Sequence, residues 1–154
     1  MIDTKDYIFV LWGEQFEAVS AAIFVTELRE IGLRVKLVSF NRTRITGTHG
    51  LTLYPDLILE QALPLANKTI AVIIPCGSLG TKPLENDPRL ADFFHEAYES
   101  SAQFVIGQQL KTSYLADINL LPPEQDVVIT YPDDSEDLVV FARQLAISLS
   151  PVAY

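Results

Sequence analysis

Five short apolar runs, separated by stretches of helical period, constrain the fold of this chain more than any other feature. The runs are Tyr7 to Trp12, Val35 to Phe40, Ile70 to Ile74, Gln103 to Ile106 and Val127 to Thr130. Between the first two, Phe16, Val19, Ala22, Ile23, Val25, Leu28 and Ile31 recur at helical spacing, and Gly32 supplies a C-terminal cap. This is a β-α-β unit, for which a right-handed crossover and parallel strands are the rule. Asp87 as N-cap and Pro88 at the first helical position open a second long helix through about Ser100, with Leu90, Phe93, Phe94 and Ala97 on its apolar side. Asp133, Asp134 or Ser135 caps a last helix whose face is Leu138, Val139, Phe141, Ala142, Leu145 and Leu149, with Pro151 marking its end.

Strands alternating with helices predict an α/β fold, a flavodoxin-like three-layer α/β/α sandwich. The expected sheet is five-stranded, mostly parallel and ordered 2-1-3-4-5. Ile45 to Leu53, with Gly47 and Gly50 inside it, reads as a small β-excursion. Asp56 to Leu63 reads as one or two helical turns, and Leu110 to Leu115 as a short helix. The 154 residues fit a single domain, and with 49% hydrophobic residues they can bury a substantial core.

Twenty Asp and Glu against eleven Lys and Arg give a net charge of −9, a field that repels nucleic acid and anionic membranes. The lone cysteine cannot form an intramolecular disulfide, Met1 to Asp6 shows no signal-peptide pattern, and no apolar stretch approaches a membrane span. A cytoplasmic protein is expected. Two histidines and one cysteine make a zinc cluster improbable, and the acidic run Asp133, Asp134, Glu136 and Asp137 reads as capping and a solvated face.

In a 2-1-3-4-5 sheet the switch point lies between the first and third strands, where open α/β sheets bind ligands. The loops meeting there carry Glu14 and Glu17, then Cys76, Gly77 and Ser78, with Gly107, Gln108 and Gln109 beside them. Glu14 and Glu17 at a helix start favour the helix and oppose a phosphate. No G-x-G-x-x-G follows the first strand and no Walker lysine loop exists, so no nucleotide or other cofactor is expected.

Gly13-Glu14-Gln15-Phe16-Glu17, the helix end Leu28 to Val35, Gly47 to Leu53, and Ile73-Ile74-Pro75-Cys76-Gly77-Ser78-Leu79-Gly80 together resemble the ThiJ/PfpI family. That family belongs to the glutamine-amidotransferase-like superfamily that includes the Parkinson-disease-associated protein. The resemblance covers most of the chain. It implies a cysteine nucleophile on a strained turn after the fourth core strand, often followed by histidine, with a glutamate of the first helix beside the thiol. The matching strand here reads Phe104-Val105-Ile106-Gly107-Gln108, so Gly107 stands at the nucleophile position and Gln108 at the histidine position. Glycine has no side chain with which to attack. Glu17 matches the acidic position, and Gly77 the oxyanion-stabilising turn. Leu115 to Asp126 is too short for the β-containing stretch the family places there.

The resemblance with this departure implies a catalytically degenerate domain, working as a binding or regulatory module in a homodimer or with a protein partner. The ligand-binding candidates are Glu14, Glu17, Cys76, Gly77, Ser78, Gly107 and Gln108. A rival is a hydrolase, deglycase or glyoxalase-like enzyme that uses Cys76 with Glu17. A third reading is a sensor of a small polar ligand. The ordinary alternatives are that Cys76 packs as a small buried residue and that Glu17 serves only its own helix dipole.

Overall fold

The apolar runs fold as parallel strands. The computed structural model describes residues 6–40, 45–47, 50–77, 81–123 and 126–150. In chain order its elements are β1 (Tyr7–Trp12), α1 (Ala18–Glu30), β2 (Val35–Ser39), β3 (Ile45–Thr46), β4 (Thr52–Leu53), β5 (Leu57–Ile58), α2 (Leu59–Ala62), a 3-10 helix (Leu63–Lys68), β6 (Thr69–Ile74), α3 (Lys82–Asn86), α4 (Arg89–Glu99), β7 (Gln103–Gly107), α5 (Tyr114–Asp117), β8 (Val128–Tyr131) and α6 (Ser135–Leu149). The main sheet runs β5-β2-β1-β6-β7-β8, and each neighbouring pair is parallel. This is the flavodoxin-like order expected from the sequence, with β5 added outside β2.

Strands covered on both faces need continuous apolar runs. Ile8 to Trp12 and Ala71 to Ile74 are accordingly buried at the centre of the sheet. The chain steps from β1 toward β2 on one side and from β6 toward β7 on the other, so right-handed crossovers put α1 and α4 on opposite faces. α6 packs on α1, and α4 on the 3-10 helix.

The expected caps form. Gly32 has φ +87°, its N–H donates to the Arg29 carbonyl at 2.9 Å, and the Leu33 N–H reaches the Leu28 carbonyl at 3.3 Å. That pair of bonds is a Schellman closure of α1. Asp134 caps α6 by accepting the Glu136 N–H at 3.1 Å, and Asp87 Oδ1 accepts the Arg89 N–H at 3.0 Å. Pro151 lies outside the described residues.

Two short segments differ from the sequence expectation. Asp56 to Leu63 is not purely helical, because Asp56 bridges to β2: its N–H donates to the Leu37 carbonyl and its Oδ2 accepts the Leu37 N–H, both at 2.8 Å. That docking continues into β5 before α2 begins. The short helix expected from Leu110 starts instead at Tyr114, after two turns in which the Leu110 N–H donates to the Gly107 carbonyl at 3.0 Å and the Tyr114 N–H to the Lys111 carbonyl at 2.9 Å.

The β-excursion is present as an antiparallel pair of β3 and β4. Trp12 Nε1 fastens it to the end of β1 by donating to the Ile45 carbonyl at 3.0 Å. Gly47 comes so close that a Cβ there would sit 2.3 Å from the Trp12 ring and 2.5 Å from the Phe16 carbonyl oxygen.

Candidate functional site

Glu17 reaches the switch point through the β1–α1 turn. Gln15 takes a left-handed φ of +67°, and the Phe16 N–H donates to the Gly13 carbonyl at 3.1 Å. Phe16 is thereby buried, and the Glu17 N–H donates to the Pro75 carbonyl at 2.8 Å, tying the start of α1 to the turn after β6. Glu17 is the N-cap residue of α1, yet its side chain makes no capping bond. Its Oε1 instead accepts the Tyr131 hydroxyl at 2.8 Å and, more weakly, the Ser20 hydroxyl at 3.4 Å. A carboxylate serving only its own helix would not need a partner 114 residues away.

The turn after β6 carries Pro75, Cys76 and Gly77. Cys76 is fully buried, and its Sγ donates to the Gly77 carbonyl at 3.1 Å. Gly77 is flanked by Gln109 Oε1 and Glu17 Oε2, which lie 3.0 and 3.3 Å from where a Cβ would stand. Two acceptor oxygens therefore border this glycine, a setting that favours hydrogen-bond donors over anions. Ser78 lies outside the described residues.

At the end of β7, Gly107 is the parallel-strand partner of Tyr131 on β8. Paired residues on adjacent strands project to the same face. A Cβ on Gly107 would accordingly meet Tyr131 Oη at 3.2 Å and Cζ at 3.3 Å, with the Cys76 carbonyl oxygen at 3.5 Å. Neither Gly107 nor Gln108 has a left-handed φ, so the turn lacks the strain implied by the resemblance. Tyr131 is 1% exposed and sets its ring edge-on to Phe24 at 5.3 Å. Burial first, and then the negative charge of Glu17, raise its hydroxyl well above the usual tyrosine range.

Of the sequence candidates, the structure gathers Glu17, Cys76, Gly77 and Gly107 around one point. Glu14 and Gln108 are exposed; the Gln108 N–H bonds the Tyr131 carbonyl at 3.1 Å, while Gln109 is the amide that faces Gly77. Sequence reasoning missed Tyr131. The available signal was its place at the end of a strand beside one that ends in glycine, an arrangement in which an aromatic ring covers a neighbouring glycine. His49 lies outside the described residues. His95 is an exposed helix residue 4.0 Å from Glu99. Among the described residues no group of three or more His, Cys, Asp or Glu could hold a metal ion, and no helix is long and apolar enough to cross a membrane. An open cleft of about 430 Å³ borders α4 and the turn after α5, lined by residues that include His95, Tyr98 and Leu121, and it shares no residue with this site.

The chain resembles known proteins in sequence and in fold. It is 36% identical over 70 residues to a deglycase from Pyrococcus abyssi, a stretch that is 46% of this chain and 41% of that protein. It spans well under half the length of that curated relative. Among solved structures, Drosophila melanogaster DJ-1beta superimposes with a TM-score of 0.76 at 16% identity, covering 94% of this chain and 90% of that one. A DJ-1 superfamily protein from Salmonella typhimurium gives 0.75 at 17% identity over the same shares, and Toxoplasma gondii DJ-1 gives 0.73 at 14% over 94% and 95%. These likenesses establish the fold. The sequence pattern of the DJ-1/PfpI family, the ThiJ/PfpI family of the sequence reading, matches residues 6–106, and the chain belongs to that family.

Proposed function

We propose that this chain is a non-catalytic DJ-1/PfpI domain that acts as a binding or regulatory module in the cytoplasm. It binds a small polar ligand at Glu17, Gly77 and Gly107, and assembles as a homodimer or with a protein partner. One observation carries this reading: the strand end that would present the nucleophile holds Gly107, on an unstrained turn, with a phenol in the adjoining space. Covalent catalysis needs an activated side chain within reach of substrate. Glu17 has meanwhile turned one oxygen to Tyr131, a hydrogen bond rather than a proton transfer. Its other oxygen borders Gly77 beside Gln109, a place for an N–H or O–H of a ligand.

The deglycase name of the Pyrococcus abyssi relative favours the rival, an enzyme using Cys76 with Glu17. Against it stands a thiol that is fully buried and donates to the next residue's carbonyl. Reactive cysteines are partly exposed and sit near positive charge. Assays of hydrolase, deglycase and glyoxalase activity should give no turnover above that of the Cys76→Ser variant, and Cys76 should alkylate at neutral pH more slowly than a thiol in an unstructured peptide. Turnover that disappears in Cys76→Ser would establish the enzyme instead.

A further inference from the structure

We infer that Tyr131 is the residue that has taken over the nucleophile's place: its phenol fills the space a side chain at position 107 needs, and its O–H goes to Glu17. Three observations from different parts of the chain meet here. The register of β7 and β8 pairs Gly107 with Tyr131, so a side chain at 107 and the tyrosine would compete for one face. The two atoms nearest a Cβ on Gly107 both belong to the phenol, Oη at 3.2 Å and Cζ at 3.3 Å. Glu17, the carboxylate that the resemblance sets beside a thiol, already accepts the tyrosine hydroxyl at 2.8 Å.

The loss of the sulfur is therefore half of a paired change. A cysteine placed at position 107 alone would meet the phenol and find one oxygen of its carboxylate partner already engaged. The ring cannot simply swing aside, since it is 1% exposed and packs edge-on against Phe24, which itself packs on Phe141 of α6. Tyr131 is a positioning residue in this scheme, because it fixes which oxygen of Glu17 remains for the cleft. The inference does not rest on the binding-module reading: a cleft that bound nothing would leave the pairing of 107 and 131 intact.

The test is a double-mutant cycle on the whole chain, read as urea-unfolding midpoints, with Gly107→Ala and Tyr131→Phe as the two arms. Both changes are small enough for the fold to persist. Gly107→Ala should lower the midpoint in the wild-type background and lower it less once the hydroxyl is gone, since Oη is the closest atom to the new methyl. Equal effects in both backgrounds would overturn the inference. A second measurement reads the hydrogen bond separately from packing. Tyr131→Ala should be stabilised more by added p-cresol, the tyrosine side chain as a free molecule, than by p-xylene, which has the same shape without the hydroxyl, and neither should stabilise wild type. No difference between the two probes would remove Glu17 from the scheme. If Tyr131→Ala does not fold, the alanine–phenylalanine cycle alone decides.

Discussion

The ends of β6 and β7 lie side by side at the same edge of one sheet and have been finished in opposite ways. β6 ends in the chain's only thiol, buried against the carbonyl of its own turn. β7 ends in a glycine whose missing side chain is replaced by a tyrosine from the next strand. A fully buried thiol bonded to the carbonyl of its own turn is a packing residue, whereas a phenol bonded to a carboxylate is a polar device set in an apolar wall. The end that carries the glycine therefore holds the more developed hydrogen-bonding chemistry. The thiol alone is the obvious feature of the sequence, and it is the less informative of the two.

The largest expected effect tests whether the β7 end depends on the tyrosine. Tyr131→Ala removes a fully buried ring and one partner of a carboxylate, and should cost about 3–5 kcal/mol in urea-unfolding free energy. Cys76→Ala removes one buried atom from the β6 end and should cost about 1 kcal/mol. Similar losses at the two positions would erase the contrast.

Tyr131→Phe keeps the ring and deletes only the bond to Glu17. A hydrogen bond to a charged group contributes about 1.5–3 kcal/mol. Because Glu17 is only partly buried, the loss should fall at the lower end of that range. A variant as stable as wild type would reduce Tyr131 to a hydrophobic filler.

The same bond predicts a pH dependence. The Tyr131 hydroxyl is raised above its unfolded value, mainly by burial, so the folded chain holds a proton that the unfolded chain releases above about pH 10. Stability from this group is complete below that pH and falls as pH rises beyond it, by up to about 1.4 kcal/mol per pH unit. Unfolding free energies of wild type and Tyr131→Phe, compared between about pH 10 and 11, should converge. Parallel curves would mean that the hydroxyl titrates alike in both states.

How much of this was legible beforehand follows from the range of each signal. Apolar runs and helix caps are local, so β1, β2, β6, β7, β8 and the three long helices could be read from patterns of a few residues. β5 could not, because it exists only where Asp56 happens to meet Leu37 of β2. The site divides in the same way. Glu17, Cys76, Gly77 and Gly107 follow from topology, since strand ends converge whatever their sequence. Tyr131 does not: its contact with Glu17 spans 114 residues and depends on the β7/β8 register. Gln109 rather than Gln108 faces Gly77 because successive residues of a turn point in different directions, which composition does not reveal.

The smallest effect compares the two glycines directly. A methyl on Gly77 would meet Gln109 Oε1 at 3.0 Å and Glu17 Oε2 at 3.3 Å, whereas one on Gly107 meets the tyrosine ring and hydroxyl. Gln109 is exposed and, among the described residues, its side chain is held by a long 3.5 Å contact from its Nε2 to Asp133, so it can rotate away. Tyr131 is packed on every side. Neither glycine has a left-handed φ, so alanine is tolerated by the backbone at both positions and gains roughly 0.4–1 kcal/mol from a less flexible unfolded chain. At Gly77 that gain should nearly offset the crowding, leaving a change within about 0.5 kcal/mol, while at Gly107 the crowding should win. Gly77→Ala as destabilising as Gly107→Ala would mean that the β6 end is packed as tightly as the β7 end, and the difference between the two strand ends would then lie in their chemistry alone.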